Sequence, residues 1–520
     1  MMKKMISILT VFALMTSMLV SCSSNKNAAK SETKNVAPAD IPYISEESNG
    51  SMTEAEVGEA VTDDNLSDNT EVYNSIIENK FTSVKDNAIS TFSADVDTAS
   101  YTKFKSMIQD RYIYDTSSLR IEEMLNYFHY NYQQPKEGEP FGINTELGDC
   151  PWNKEAKVLS IGLQAQNIKT SDLPNSNLVF LLDTSGSMAD ADKLPLMVQA
   201  FKMLTANLGE NDRISIVTYA GSDEILLEGK NGDDKLDIVN ALESLSASGS
   251  TNGSQGINTA YELAEKYYIK GGNNRVILAT DGDLNVGITS EHGLTKLIKN
   301  KRDQGVYLSV LGLGEGNYKD NNLEALADNG NGNYSYIDSR QEAKKVLVEE
   351  MGGTLVTVAK DVKLQVEFNP DTVESYRLIG YENRMLNTED FRDDKKDAGE
   401  IGAGHQVTAL YEVILKKNTS IDLATLRLRY KKPASNTSSE LSYPISTKIY
   451  SSSSDNFRFA TCVAQTGMLL RNSKFIKTGS YENVLADLNA INFEDDPYKS
   501  EFKDLVKQLM TDVVVDDNLE

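Results

Sequence analysis

Oxygen-bearing side chains gather at the ends of three apolar stretches of this 520-residue chain. In residues 177–188, NLVFLLDTSGSM, the run Leu178, Val179, Phe180, Leu181, Leu182 stops at Asp183. Ser185 and Ser187 follow at alternate positions, with Gly186 allowing a tight turn. Thr251 lies in SGSTNGSQGI, a Gly/Ser/Asn loop that leads into a helical pattern, and Asp281 ends RVILATDG, a second apolar run that stops at a carboxylate. Hard oxygen donors without His or Cys suit a hard cation, Mg²⁺ first, with Mn²⁺ or Ca²⁺ as alternatives.

The elements that must position these residues follow from periodicity. Unbroken apolar runs are the pattern of strands buried on both faces of a parallel sheet. Strands are predicted at 177–183, 213–219, 275–281, 306–313 and 333–337, with a short edge-like strand at EILLEG. Helices are predicted at 191–208, 234–245, 256–269, 291–304, 322–328 and 340–351. Such alternation means an α/β, doubly wound, mostly parallel sheet, with functional loops at the carboxyl ends of its strands.

Asp183, Ser185, Ser187, Thr251 and Asp281, in this order and on these loops, resemble the metal-ion-dependent adhesion site of von Willebrand factor type A domains. The resemblance covers about 175–350 and implies a Mg²⁺ ion held by these five residues. Two carboxylates only balance the charge of the ion, so it would accept an Asp or Glu from a protein partner. The N-terminus of the helix expected at 191–208, after Ser187, would add positive potential.

The rest of the chain supplies context. Lys3 and Lys4 precede an apolar stretch from Ile6 to Val20, and Leu19, Val20, Ser21, Cys22 looks like a bacterial lipobox. That reading makes 1–21 a signal peptide, Cys22 the lipidated residue, and the protein exported and lipid-anchored to a cell membrane or outer membrane. Residues 22–77 are polar and acidic, with no Lys or Arg between Lys34 and Lys80, and read as a solvated tether. A net charge of −25 argues against nucleic acid as a partner.

Residues 78–174 form a small α+β segment in which STFSADVDTASY passes from strand to helix. Asp97 or Thr98 is expected as the cap, in preference to a phosphatase-like role for DVDT. The central domain is placed at 175–352. Beyond it, 353–520 alternates at period two in Val362, Leu364, Val366, Phe368 and again from Val407 to Leu415, predicting a half-solvated antiparallel sheet with loops at 383–404 and 436–442. Helices follow from Asp455. In their full order, STFSADVDTASY, RIEEMLNYF, CPWN, the metal motifs, GAGHQVTALYEV and FRFATCVAQTGMLLR resemble the YfbK-like bacterial lipoproteins, which implies an envelope location.

Catalysis has little support in the residues. His129, His292 and His405 fall in no triad or metal-ligand spacing, Ser185 and Ser187 lack a G-x-S-x-G setting, and DGDLN with Asp283 and Asn285 fails as an EF-hand at Val286 and His292. The expected function is metal-dependent binding of a protein partner. An envelope scaffold with a metal-stabilised loop and a metal-dependent hydrolase are the alternatives. A bridge between Cys150 and Cys462 is an open expectation.

Overall fold

The computed structural model describes residues 76–113, 116, 119–169, 172–249, 254–282, 291–314, 320–417, 421–433, 435–448, 453–493, 496–511 and 514–515. The expected signal peptide, Cys22 and the chain as far as residue 75 lie outside the described residues, as do Thr251, Asp283 and Asn285.

In the central domain the apolar runs become strands covered on both sides. Along Ser176–Asp183, Leu178, Phe180 and Leu182 enter one core while Val179 and Leu181 enter another, as a two-residue period requires. Helices Leu194–Ala206 and Lys235–Glu243 cover the first face. Ser254–Lys266, Glu291–Asp303 and Asp320–Asn329 cover the second. The six-stranded sheet runs in the order Tyr334–Ile337, Tyr307–Leu313, Asn273–Thr280, Ser176–Asp183, Arg213–Tyr219, Asp223–Asn231. All neighbours are parallel except the last pair, which is antiparallel. The strand order reverses at Ser176–Asp183, so Asp183 stands at the topological switch point, where open α/β sheets form their ligand crevice.

One expected helix starts late and another is broken. The helix expected at 191–208 spans Leu194–Ala206, with Pro195 in its first turn. Ser187 itself lies in a single 3₁₀ turn, Gly186–Ala189. A turn of that length has no macrodipole to offer an anion, which removes the helix-end contribution expected at the site. The stretch 340–351 divides into Arg340–Lys344, a π turn at Lys345–Glu349 and Met351–Leu355.

The flanks share their sheets. Phe141–Asp149 and Lys157–Ala165 from before the central domain join Val373–Ile379 and Gln406–Leu415 from after it, with Thr82–Ser83 at the far edge, in one antiparallel sheet. In a second sheet Ile89–Ser93 pairs with Thr357–Phe368, which pairs with Asp422–Lys431. Their inner faces close one core around Leu159, Ile161, Leu364, Val366, Tyr411 and Leu426. The outer face of the first sheet, expected to meet water, is covered by helices Ala99–Gln109, Ile121–Asn126, Asp455–Leu470, Tyr481–Asn489 and Pro497–Thr511. Residues 406–413 are therefore buried on both faces.

Burial on that side forces polar groups to pair. Glu412 accepts hydrogen bonds from Trp152 Nε1 at 2.9 Å and Arg377 Nε at 2.6 Å, with Cys150 Sγ 3.8 Å away. Cys150 and Cys462 are both buried and free, so the bridge does not form. Burial, then the Glu412 charge, pushes the Cys150 thiol up to about 12. The expected loop at 436–442 is mostly strand, Ser438–Ser446, polar because it lies at the sheet edge against Asp422–Lys431.

Helix Ala99–Gln109 covers the edge strand Tyr334–Ile337 and ties the flanks to the central domain. Here DVDT departs from expectation. Thr98 occupies the cap position, but its side chain makes no capping bond. Asp95 accepts from the Asp97 N–H at 3.0 Å, and Asp97 Oδ1 accepts from the backbone N–H of Tyr334 at 2.9 Å. The two carboxylates pair with Arg384, which also reaches Glu324 at 2.9 Å and Asp328 at 2.6 Å. The acidic pair holds domains together instead of capping a helix.

Both ends of the central domain meet one segment of the flanking body. Ala165 N–H donates to His405 O at 2.9 Å and Gly404 N–H to Gln166 O at 3.1 Å. On the other side, Ala403 N–H donates to Val356 O at 2.8 Å. A β-carbon on Gly402 would collide with the carbonyl of Gly353, so only glycine lets the two backbones approach this closely.

Candidate functional site

The site is a strand end with its loops drawn together by backbone bonds. Thr184 N–H donates to Tyr219 O at 3.0 Å, Ser248 N–H to Thr184 O at 2.8 Å and Gly186 N–H to Gly249 O at 3.1 Å. The DTSGS turn is thus pinned between the next strand and the segment that leads to Thr251, although Thr251 itself is outside the described residues. Four of the five expected donors are placed: Asp183, Ser185 and Asp281 are buried, and Ser187 is exposed to solvent.

Asp183 is fixed from two directions. Its Oδ1 accepts the Ser185 N–H at 2.9 Å and its Oδ2 accepts the Thr280 hydroxyl at 3.1 Å. Burial is the largest influence on its acidity and pushes it up to about 6. The bonds from Ser185 and Thr280 offset part of this, and the charge of Asp281 adds to it. Ser185 and Ser187 bring their hydroxyl oxygens to 3.1 Å from each other.

Asp281 completes the group. Its Oδ2 meets Lys193 Nζ at 3.2 Å, while its Oδ1 is buried with no hydrogen-bond partner among the described residues. An orphaned carboxylate oxygen beside a second carboxylate and two hydroxyls is a costly arrangement unless a cation meets it. The donor set fits a hard divalent ion such as Mg²⁺. Among the described residues, no group of three or more His, Cys, Asp and Glu side chains is placed to hold a metal, so this hydroxyl-rich loop is distinct from an all-carboxylate or His/Cys centre.

Thr280 and Lys193 were not singled out in the sequence. Thr280 had a signal, its place directly before Asp281 at the end of a strand. Lys193 had none, since a lysine at the start of a helix is normally solvated. Beside the turn runs an apolar groove of about 460 Å³ lined by Met188, Leu194, Val198, Leu242, Leu245 and Ala247.

Among the described residues no histidine bonds to Asp183, Ser185, Ser187 or Asp281. His129 Nε2 lies 3.1 Å from Glu350, His292 is exposed, and His405 is buried, with burial lowering it to about 4. Every hydrogen bond and ion pair of Asp183, Ser185, Ser187 and Asp281 among the described residues stays within the central domain.

Family comparisons bear on the whole of this architecture. A model described as von Willebrand factor matches residues 67–160, one described as von Willebrand factor type A domain matches 177–350, and one described as "Uncharacterized protein YfbK, C-terminal" matches 353–511. The uncharacterized protein YfbK of Escherichia coli strain K12 is 40% identical over 462 residues, covering 84% of this chain and 80% of that protein. A von Willebrand factor type A structure from Catenulispora acidiphila aligns with 74% of this chain and 99% of its own, at 14% identity and a TM-score of 0.41. Proximal thread matrix protein 1 from the mussel byssus, in a form whose MIDAS motif is occupied by zinc, aligns with 34% of this chain and 45% of its own, at 23% identity and a TM-score of 0.29. With its central domain and both flanks matched in order, the chain belongs to the YfbK family of von Willebrand factor type A domain proteins.

Proposed function

We propose that this protein binds a protein partner through a divalent cation, Mg²⁺ in preference to Mn²⁺ or Ca²⁺, held by Asp183, Ser185, Ser187, Thr251 and Asp281. The observation that carries this reading is the Oδ1 of Asp281, without a hydrogen-bond partner among the described residues and buried beside a turn whose Ser187 is open to solvent. When bound, the ion supplies a Lewis-acidic position that an Asp or Glu of the partner can fill. Asp183 is held ready by Ser185 and Thr280, and the neighbouring apolar groove offers contact for side chains next to that carboxylate. The role is binding and not catalysis: among the described residues no histidine bonds to the serines of the turn, and type A domains are generally interaction modules.

Isothermal titration with Mg²⁺, and capture from an envelope extract in Mg²⁺ and in EDTA, test the reading. Asp183→Ala should abolish Mg²⁺ binding and metal-dependent capture. Thr251→Ala should weaken both without changing net charge. Strand-end loops carry little of the core, so both variants should remain folded. Capture that ignores EDTA and Asp183→Ala alike would leave the scaffold role in its place.

The location belongs to the same proposal: export and lipid anchoring at Cys22, supported by the order of Lys3, Lys4, the apolar stretch and Leu19–Cys22. Mass spectrometry of the mature N-terminus should find an acylated Cys22. A mature chain starting elsewhere without lipid rejects the anchor.

A further inference from the structure

Lys193 is an unusual neighbour for a cation site. Its Nζ stands 3.2 Å from Asp281 Oδ2, and the lysine and aspartate side chains are only 8% and 1% exposed. Burying a lysine is expensive unless it is paired, and here the surroundings are shaped to hold it. Its stem lies across Gly314, where a β-carbon would strike Cγ, Cδ and Cε of Lys193, and where φ is +70°. The Gly314 carbonyl is in turn fixed by the Tyr336 hydroxyl at 2.9 Å. At the backbone, Lys193 donates to Asp190 O at 3.1 Å and accepts from Met197 N–H at 2.9 Å, so the residue is clamped at both ends.

We propose that Lys193 is a resident cation of this site, one that weakens its hold on the divalent ion and so reserves tight closure for the partner's carboxylate. The inference rests on the metal-binding reading above. Charge bookkeeping shows the reason. Asp183 and Asp281 contribute −2 and Lys193 contributes +1, which leaves −1 before the ion and +1 after it, a balance that one partner carboxylate brings to zero. Without the lysine the loaded site would already be neutral, and a further carboxylate would make it negative. In the metal-free protein the same ammonium keeps Asp281 paired, so the loop is held in shape before any ion arrives. Lys193 is a positioning and affinity-setting residue in this scheme, with no direct contact to the ion required.

The test uses the full chain and the metal alone. Mg²⁺ and Mn²⁺ affinities are measured by titration calorimetry for wild type, Lys193→Met, Lys193→Gln and Lys193→Arg, with thermal melts in EDTA. Removing a unit charge at this range should tighten divalent binding by about tenfold or more in Lys193→Met and Lys193→Gln. Lys193→Arg keeps the charge and should stay close to wild type. Both neutral variants should melt earlier than wild type in EDTA and recover on adding Mg²⁺, a readout that does not depend on any partner. If Lys193→Met misfolds, Lys193→Gln carries the comparison. Equal or weaker metal binding in the neutral variants overturns the proposal while leaving the metal site standing. Equal tightening in Lys193→Arg also overturns it, since packing and not charge would then be responsible. Metal binding that appears only in the neutral variants supports the lysine's role and removes the metal-binding reading for the wild type. No binding by any of the four proteins ends both.

Discussion

Arg384→Met is expected to destabilise the protein by about 3–5 kcal/mol, the cost typical of removing one partner from a buried ion pair. Arg384 is 11% exposed and is shared by Asp95 at 3.3 Å, Asp97 at 3.3 Å, Glu324 at 2.9 Å and Asp328 at 2.6 Å. Two of these acids come from the N-terminal flank and two from helix Asp320–Asn329 of the central domain. Burial, then the neighbouring Asp95 and Asp328, holds Asp97 well above the usual carboxylate range even with the arginine present, so its removal leaves like charges facing each other. Asp328, at 42% exposure, keeps contact with water and limits the loss. Arg384→Lys preserves a charge but not the planar fork and should recover only part of the difference. Urea denaturation followed by far-ultraviolet circular dichroism gives the measurement. A loss below about 1 kcal/mol in Arg384→Met would show that the clasp contributes no more than an exposed pair.

The second large effect is a pH dependence centred on Glu122. This residue of helix Ile121–Asn126 is fully buried, and burial, followed by the charges of Glu382 and Asp95, pushes it up to about 8. Nearby backbone amides of Tyr381 and Glu122 offset only part of that. An unfolded glutamate titrates at its ordinary value of about 4.5. Between that value and about 8 the folded protein keeps a proton that the unfolded chain has released. Stability therefore falls as pH rises through this window, by up to about 1.4 kcal/mol per pH unit. Glu122→Gln mimics the protonated form and removes the dependence. It should match wild type near pH 4.5 and exceed it increasingly toward pH 8. The buried His405, lowered to about 4, works in the opposite sense: stability falls as pH drops below the ordinary histidine value of about 6.5, in wild type and variant alike. Denaturation curves at pH 5, 6.5 and 8 isolate the glutamate through the wild-type-minus-variant difference. A difference that stays flat across these pH values would refute the assignment.

The central fold was legible because its signals are local. An apolar run that ends in oxygen marks both the strand and its functional end, and Ser176–Asp183, Arg213–Tyr219 and Asn273–Thr280 lie where periodicity put them to within a few residues. What escaped is long-range. That Lys157–Ala165 pairs with Gln406–Leu415 depends on chain segments brought together across the central domain, and nothing in either strand encodes its partner. The motifs that run through the flanks acquire meaning only in three dimensions. RIEEMLNYF supplies Asn126, which donates to Asp95 O and accepts from the Thr408 N–H. CPWN supplies the Trp152 that bonds Glu412, and GAGHQ forms the segment at both junctions. Lys193 was invisible for a related reason: only the glycine at 314, far along the chain, makes room for its stem.

The stitching of residues 402–406 to both ends of the central domain has an entropic consequence. In an unfolded chain, pairing Lys157–Ala165 with Gln406–Leu415 closes a very long loop and costs conformational freedom that grows with the logarithm of its length. Once the central domain has folded from its own neighbouring strand–helix units, its two ends already lie side by side, at Gln166 and Val356, and the loop left to close is only the short path through them. The inserted domain thus acts as a molecular staple for the body that surrounds it, lowering the closure cost of sheets whose strands are otherwise remote in sequence.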